Sequence, residues 1–283
     1  VKCLQDLERG LMELKQPDYW LKSGKTMENY FPDGFKRREN PMTPADDRAM
    51  AEEVTDDEFK AAENMPYRQL CVIVSYPASC TKFKMRYAVT VCGRHRSKWG
   101  MKQWNILKKV FEYGYCTRDL GLIYSAGLDE HGDNTLYAYA DASHNPPRSQ
   151  GCHVVMMNGA AISCESKRHT IMATSTCHDE MIQFSKGANK ICGFRNLMQE
   201  GGMYQQAPSR IYQDNEANIK VLENRGSLSS KTRHIEMSVL SARNKVEDQL
   251  VKPVYKFTGR MAADFGTKGL PDEAVQICRE VID

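Results

Sequence analysis

The chain has 283 residues, 41% of them hydrophobic and 27% charged, with 39 Lys and Arg against 36 Asp and Glu. That length suits one large domain or two small ones, each able to bury a core, and near-average charge with only 11 prolines excludes a mainly disordered chain. No run of about 18 apolar residues occurs, which excludes a membrane-spanning helix. The opening segment, Val1 to Asp6, has no apolar stretch and is not read as a secretory signal. With no initiating Met, the sequence reads as part of something longer. The 10 cysteines are scattered without a C-x-x-C pair, which points to reduced thiols in the cytosol or nucleus rather than to zinc or a disulfide scaffold.

The charge is unevenly placed. Asp46, Asp47, Glu52, Glu53, Asp56, Asp57, Glu58 and Glu63 crowd one segment, and Asn64 to Phe111 then contains no acid. Within that second block stand Arg68, Lys82, Lys84, Arg86, Arg94, Arg96, Lys98, Lys102, Lys108 and Lys109, interleaved with Tyr87, Trp99 and Trp104. Such a block suits the phosphates of a nucleic-acid backbone, with Lys102, Lys108 and Lys109 as candidate contacts. The competing reading is a solvated face balanced by the acids before it.

In chain order, residues 1–128 read as a mostly helical segment. Trp104, Leu107 and Phe111 recur at helical spacing, and Gly114 with Thr117 to Asp119 is expected to end that helix. The polar stretch Asp129 to Asn134 reads as a linker to a second domain, residues 134–283. There, Leu136 to Ala140 forms a strand ending on Asp141, and Cys152 to Met157 and Ala160 to Ser166 form two more around an Asn158-Gly159 turn. A helix follows from about Cys177 to Gln199, closed by Gly201 and Gly202. Arg210 to Gln213 is a strand ending on Asp214; helices at about 215–224 and 233–248 lead to a fifth strand, Leu250 to Phe257, and a last helix near Met261. Three meandering strands followed by α-β units describe an α/β fold, a mixed sheet with helices on both faces.

Acids fall at informative places in this plan. In a sheet of order 3-2-1-4-5, strands one and four adjoin, so Asp141 and Asp214 share the crevice edge where open α/β sheets place their sites. Glu180 starts the helix after the third strand, and Asp264 lies early in the last helix. Carboxylates gathered in one crevice repel one another and favour a hard divalent cation. Taken singly, each is equally an ordinary loop or cap acid.

These residues carry a resemblance. Tyr139 to Ala142, Ile162 to Lys167, Thr174 to Glu180, Ile211 to Asn215, Lys231 to Glu236, Arg243 to Asp248 and Ala263 to Pro271 resemble, in order and spacing, the ribonuclease H domain of copia-type retrotransposon polyproteins. Gln16 to Tyr19, Pro66 to Arg68, Ala88, Val89, Trp104, Leu107 and Asp119 to Tyr124 resemble the reverse transcriptase C-terminal and connection segment of the same polyproteins. The resemblance implies a ribonuclease H-like five-stranded mixed sheet. It also implies hydrolysis of the RNA strand of RNA–DNA hybrids with two Mg²⁺ ions, for which Mn²⁺ can substitute. It places the catalytic, metal-binding carboxylates on Asp141, Glu180, Asp214 and Asp264. Nucleic-acid contacts fall on Asn215, Lys231, Arg233 and His234, although Thr232 equally suits a helix cap. Its expected partners are the hybrid and the polymerase and integrase parts of the polyprotein, not a membrane, and its expected location is a cytoplasmic virus-like particle or the nucleus.

Several positions depart from the family pattern. Ser143 stands where a second acid is usual, His178 where a Glu is usual, Lys82 to Lys84 replaces Arg-Pro-Asp, and Phe265 with Gly266 replaces the middle of the last motif. No Tyr-x-Asp-Asp motif occurs, which places the polymerase active site outside this sequence. Two alternatives share the fold: a recombinase- or integrase-like transferase using Asp141, Asp214 and Glu247, and a catalytically dead hybrid-binding module. Cys177 with His178 is a poor metal pair, and His144 is read as a surface-loop residue.

Overall fold

The computed structural model describes residues 1–127, 129–145, 148–173, 175–223 and 236–275. Two compact units emerge: Val1–Tyr124, with which residues 268–275 group, and Ser125–Thr267.

The first unit begins with strands that the helical reading missed. β1 (Lys2–Asp6) and β2 (Leu11–Lys15) pair antiparallel, and β3 (Leu122–Ser125) completes a sheet of order β1-β2-β3. The helices follow: α1 (Pro17–Met27), α2 (Pro44–Met50), α3 (Asp56–Ala62), α4 (Tyr67–Cys80), α5 (Arg86–Gly93) and α6 (Met101–Cys116). Acids of the acidic segment start two of them. Thr43 with Asp46 and Thr55 with Glu58 form capping boxes at α2 and α3, each satisfying otherwise unpaired N-terminal N–H groups. The apolar stripe expected around Trp104, Leu107 and Phe111 packs into a core with Trp20, Met27, Tyr67 and Leu70. Gly114 does not end α6. It lies inside the helix, where an added Cβ would fall 2.1 Å from Cη2 of the fully buried Trp20. The glycine is a packing device rather than a stop signal.

The second unit holds the sheet implied by the resemblance, now seen directly. β4 (Tyr137–Ser143), β5 (Gln150–Met157), β6 (Ala160–Arg168), β7 (Ser209–Gln213) and β8 (Val251–Tyr255) lie in the order β6-β5-β4-β7-β8. The β4–β5 and β5–β6 pairs are antiparallel, β4–β7 and β7–β8 parallel. Asn158 and Gly159 take φ of 52° and 82°, the left-handed pair that a two-residue type I′ turn requires. α7 (Thr176–Glu200) packs on the sheet, burying Met181, Phe184, Ala188 and Ile191 against Ala138, Ala140, Val155 and Ile211. α8 (Glu216–Glu223) and α9 (Glu236–Glu247) complete the helical layer.

Three local expectations change. Asp141 lies within β4, two residues short of its end, rather than after it. The stretch 129–134 is tied to the unit, because Asp129 accepts the Gly159 N–H at 2.8 Å, the Asn134 N–H donates to Asn158 Oδ1 at 2.6 Å, and His131 stacks on Tyr137. At Met261 there is no α-helix. Thr258–Arg260 and Ala262–Gly266 form 3₁₀ turns, and Gly266 approaches β5 so closely that a Cβ there would meet Cys152 Sγ at 2.1 Å. No described helix is long and apolar enough to cross a membrane.

Candidate active site

The parallel register brings the first two acids to the same edge of the sheet. β4 and β7 pair as far as Tyr139 and Tyr212; Asp141 lies two residues beyond that pair, within β4, and Asp214 directly follows the end of β7. Asp141 is buried, and its Oδ2 lies 2.7 Å from the Thr267 hydroxyl. That hydroxyl is also 3.2 Å from the carbonyl of Asp264, so the turn carrying Asp264 is tied directly to Asp141. Asp214 accepts the Thr258 hydroxyl at Oδ2, 2.9 Å.

Glu180 arrives from the helical layer. Ser175 caps α7 by accepting the His178 N–H, which fixes the first turn and with it Glu180. Asn218 of α8, itself fully buried, donates to Glu180 Oε2 at 3.2 Å, and the Gln213 amide donates to the Glu180 carbonyl at 3.3 Å. Cys177 Sγ closes the arrangement by donating to Asn218 Oδ1 at 2.6 Å, a packing role and not a metal ligand's. The Glu180 carboxyl is pushed up to about 7. Burial is the largest cause, followed by the charge of Asp214, with those of Asp141 and Asp179 adding and a hydrogen bond from Asn215 opposing.

Glu180 therefore feels the charges of Asp214 and Asp141, and the backbone carbonyl of Asp264 lies against the Thr267 hydroxyl that meets Asp141. The donors are all carboxylate oxygens under mutual repulsion, which in kind fits a hard divalent cation. Among the described residues, however, no three His, Cys, Asp or Glu side chains are already drawn together closely enough to hold one.

The other candidate residues are placed differently. Lys102 pairs with Glu52, Lys109 with Asp46 at 2.7 Å and Lys98 with Asp56 at 2.6 Å, while the Lys108 ammonium lies 4.8 Å from the Phe31 ring centroid. The acids of residues 46–63 thus balance much of the acid-free block. Asn215 accepts the Asn218 N–H at 3.2 Å and hydrogen-bonds Glu180, so it serves the site from within. Lys231, Arg233 and His234 lie outside the described residues. Glu247 is the exposed last residue of α9, and the charges acting on Glu180 come from Asp214, Asp141 and Asp179 instead.

Sequence reasoning missed Thr258, Thr267 and Asn218. It also passed over Asp179, whose only signal was its place beside Glu180. Asp179 is fully buried and accepts hydrogen bonds from Ser149, His144 and His169.

No protein-family profile matches the chain. It is 26% identical over 223 residues to the retrovirus-related Pol polyprotein of transposon TNT 1-94 from Nicotiana tabacum, and 23% identical over 222 residues to the transposon Ty1-DR5 Gag-Pol polyprotein of Saccharomyces cerevisiae. Each match covers 77% of this chain, yet the chain spans only 16% and 12% of those relatives. Among solved structures, LC11 ribonuclease H1 in complex with an RNA/DNA hybrid aligns with 50% of this chain and 99% of its own, at 14% identity and a TM-score of 0.36. A foamy viral protease-reverse transcriptase in complex with double-stranded DNA aligns with 72% of this chain and 35% of its own, at 10% identity and 0.37. Over most of its length, the chain is similar to segments of retrotransposon polyproteins.

Proposed function

We propose that the chain is the ribonuclease H part, with the preceding connection segment, of a retrotransposon reverse transcriptase polyprotein, and that it hydrolyses the RNA strand of RNA–DNA hybrids. The observation that carries this reading is the placement of the acids: Asp141 on β4 and Asp214 at the end of β7, the parallel strand beside it, lie at the strand-order switch point of the sheet, and both act on the buried Glu180 of α7. A carboxylate cluster under such repulsion is arranged to meet positive charge rather than to cap a loop.

The proposed ligands are Asp141, Glu180, Asp214 and Asp264. Two bound Mg²⁺ or Mn²⁺ ions would supply an activated water and stabilisation of the leaving 3′ oxygen. The protein's own part is to hold the carboxylates: Thr267 steadies Asp141, Thr258 steadies Asp214, and Asn218 with Asn215 orients Glu180. On the substrate side, Lys108 has no acidic partner among the described residues, and Lys231, Arg233 and His234 are proposed phosphate contacts. Lys102 would exchange its exposed partner Glu52 for phosphate at little cost, whereas Lys109 would first have to leave Asp46, whose carboxylate is buried at the start of α2. The polymerase and integrase parts of the polyprotein are the proposed partners, with the cytoplasmic particle or the nucleus as the setting.

The test is a labelled RNA–DNA hybrid offered to the purified chain with Mg²⁺ or with EDTA. Mg²⁺-dependent cleavage of the RNA strand alone is expected. Binding without any cleavage would favour the hybrid-binding module instead, and the departures at Ser143 and His178 would then mark a decayed site.

A further inference from the structure

Asn218, on α8, is fully buried, and the two ends of its amide face different partners. Nδ2 donates to Glu180 Oε2 at 3.2 Å, while Oδ1 accepts the Cys177 thiol at 2.6 Å. The Asn218 backbone N–H donates to Asn215 Oδ1 at 3.2 Å, so the start of α8 is held independently of the Asn218 side chain. Cys177 stands in the first turn of α7, half-buried and three residues before Glu180. At that spacing the two side chains share one face of the helix. Glu180, Asn218, Cys177 and the turn of α7 between them therefore close a ring of contacts.

A buried amide can present either its oxygen or its NH₂ to a neighbour, because half a turn about its last side-chain bond exchanges them. With the oxygen toward Glu180, two acceptors would oppose each other whenever the carboxylate is charged. The thiol selects the other orientation. Its S–H is a donor, so it holds Oδ1 and leaves the amide hydrogens for Glu180. Burial and the charge of Glu180 push the Cys177 thiol up, which keeps the proton that this contact needs. Cys177 also fills space beside α8, but an apolar side chain of similar size would do that without choosing an amide orientation.

We propose that Cys177 and Asn218 are positioning residues: the thiol locks the Asn218 amide with its hydrogens toward Glu180, and so fixes the carboxylate in the orientation that receives a divalent cation. This role rests on the ribonuclease H reading and its ligand set.

The experiment separates donor from volume in the full chain. Cys177→Ser keeps a donor, Cys177→Val keeps the bulk without one, and Asn218→Ala removes the amide, alone or together with Cys177→Val. Two quantities are read: the Mn²⁺ concentration at half of the rise in melting temperature, and kcat and KM on the labelled hybrid in Mg²⁺. Asn218→Ala is expected to raise the Mn²⁺ midpoint about tenfold and Cys177→Val about threefold or more, whereas Cys177→Ser stays within about twofold of the parent. In each case kcat falls with the loss of metal affinity and KM for the hybrid is unchanged. Added to Asn218→Ala, Cys177→Val is expected to have no further effect, because the thiol acts only through the amide. A parental midpoint in Cys177→Val, Cys177→Ser as impaired as Cys177→Val, or effects of Cys177→Val and Asn218→Ala that multiply would each overturn the proposal and leave the ribonuclease H reading standing. If Asn218→Ala does not fold, the comparison of serine with valine at Cys177 decides alone. An unsubstituted chain with neither a Mn²⁺ response nor cleavage overturns the ribonuclease H reading itself, and this role with it.

Discussion

At the scale of single residues, the second unit is shaped by polar groups taken out of water, not all of them fully paired: the buried His153 Nε2 has no hydrogen-bond partner among the described residues. His153 illustrates the cost. Burial depresses its imidazole to about 4, with Lys186 and Lys190 reinforcing the shift and Glu165 opposing it. A folded-state value below the ordinary 6.5 means that the neutral ring's contribution to stability is full above about pH 6.5 and is lost as pH falls through 6.5 toward 4. His153→Gln keeps a partner for Gln183 and removes the titration. Urea midpoints measured across pH 4 to 7 should therefore fall less steeply on the acid side for this variant than for the parent. Equal slopes would show that His153 is not neutral in the folded chain. The candidate acids stand out in the sequence by their places in the motif pattern, but the groups that hydrogen-bond them do not. Thr267 lies 126 residues from Asp141, Thr258 44 from Asp214, and Asn218 38 from Glu180, and no local pattern announces such pairings.

At the scale of elements, what local chemistry dictates was readable and what tertiary packing dictates was not. The Asn158-Gly159 turn, the stripe of α6 and the glycine-closed α7 each follow from a rule that acts within a few residues. β1 escaped because all five of its residues are exposed, so no alternation of apolar and polar positions marks it. The region after Met261 escaped because Gly266 must pass against Cys152, a constraint invisible without β5 in place. Gly114 misled for the same reason, since glycine late in a helical pattern reads as a stop unless Trp20 is known to lie over it. Gly114→Ala should destabilise the chain by about 1–3 kcal/mol through overpacking, despite alanine's better helix propensity. Thermal or urea unfolding checks this, and a stabilised variant would mean that Trp20 moves aside freely.

At the scale of the whole molecule, the chain holds a helical unit carrying a small sheet and a five-stranded mixed-sheet unit that has its own core, so folding of the second should not depend on metal. Binding of Mn²⁺ to the folded state alone should raise the melting temperature as the concentration increases, and Asp141→Asn should abolish that response. An unchanged response in the variant would place the ion elsewhere. The central claim is that the carboxylates cut the hybrid while other groups bind it, and Glu180→Gln tests this most directly. Cleavage and affinity are measured on the same labelled RNA–DNA hybrid in Mg²⁺. The account predicts cleavage lost by at least about a hundredfold, with affinity kept or slightly raised because a negative charge near phosphate has gone. Cleavage that persists in Glu180→Gln, at a rate near that of the parent, would contradict it.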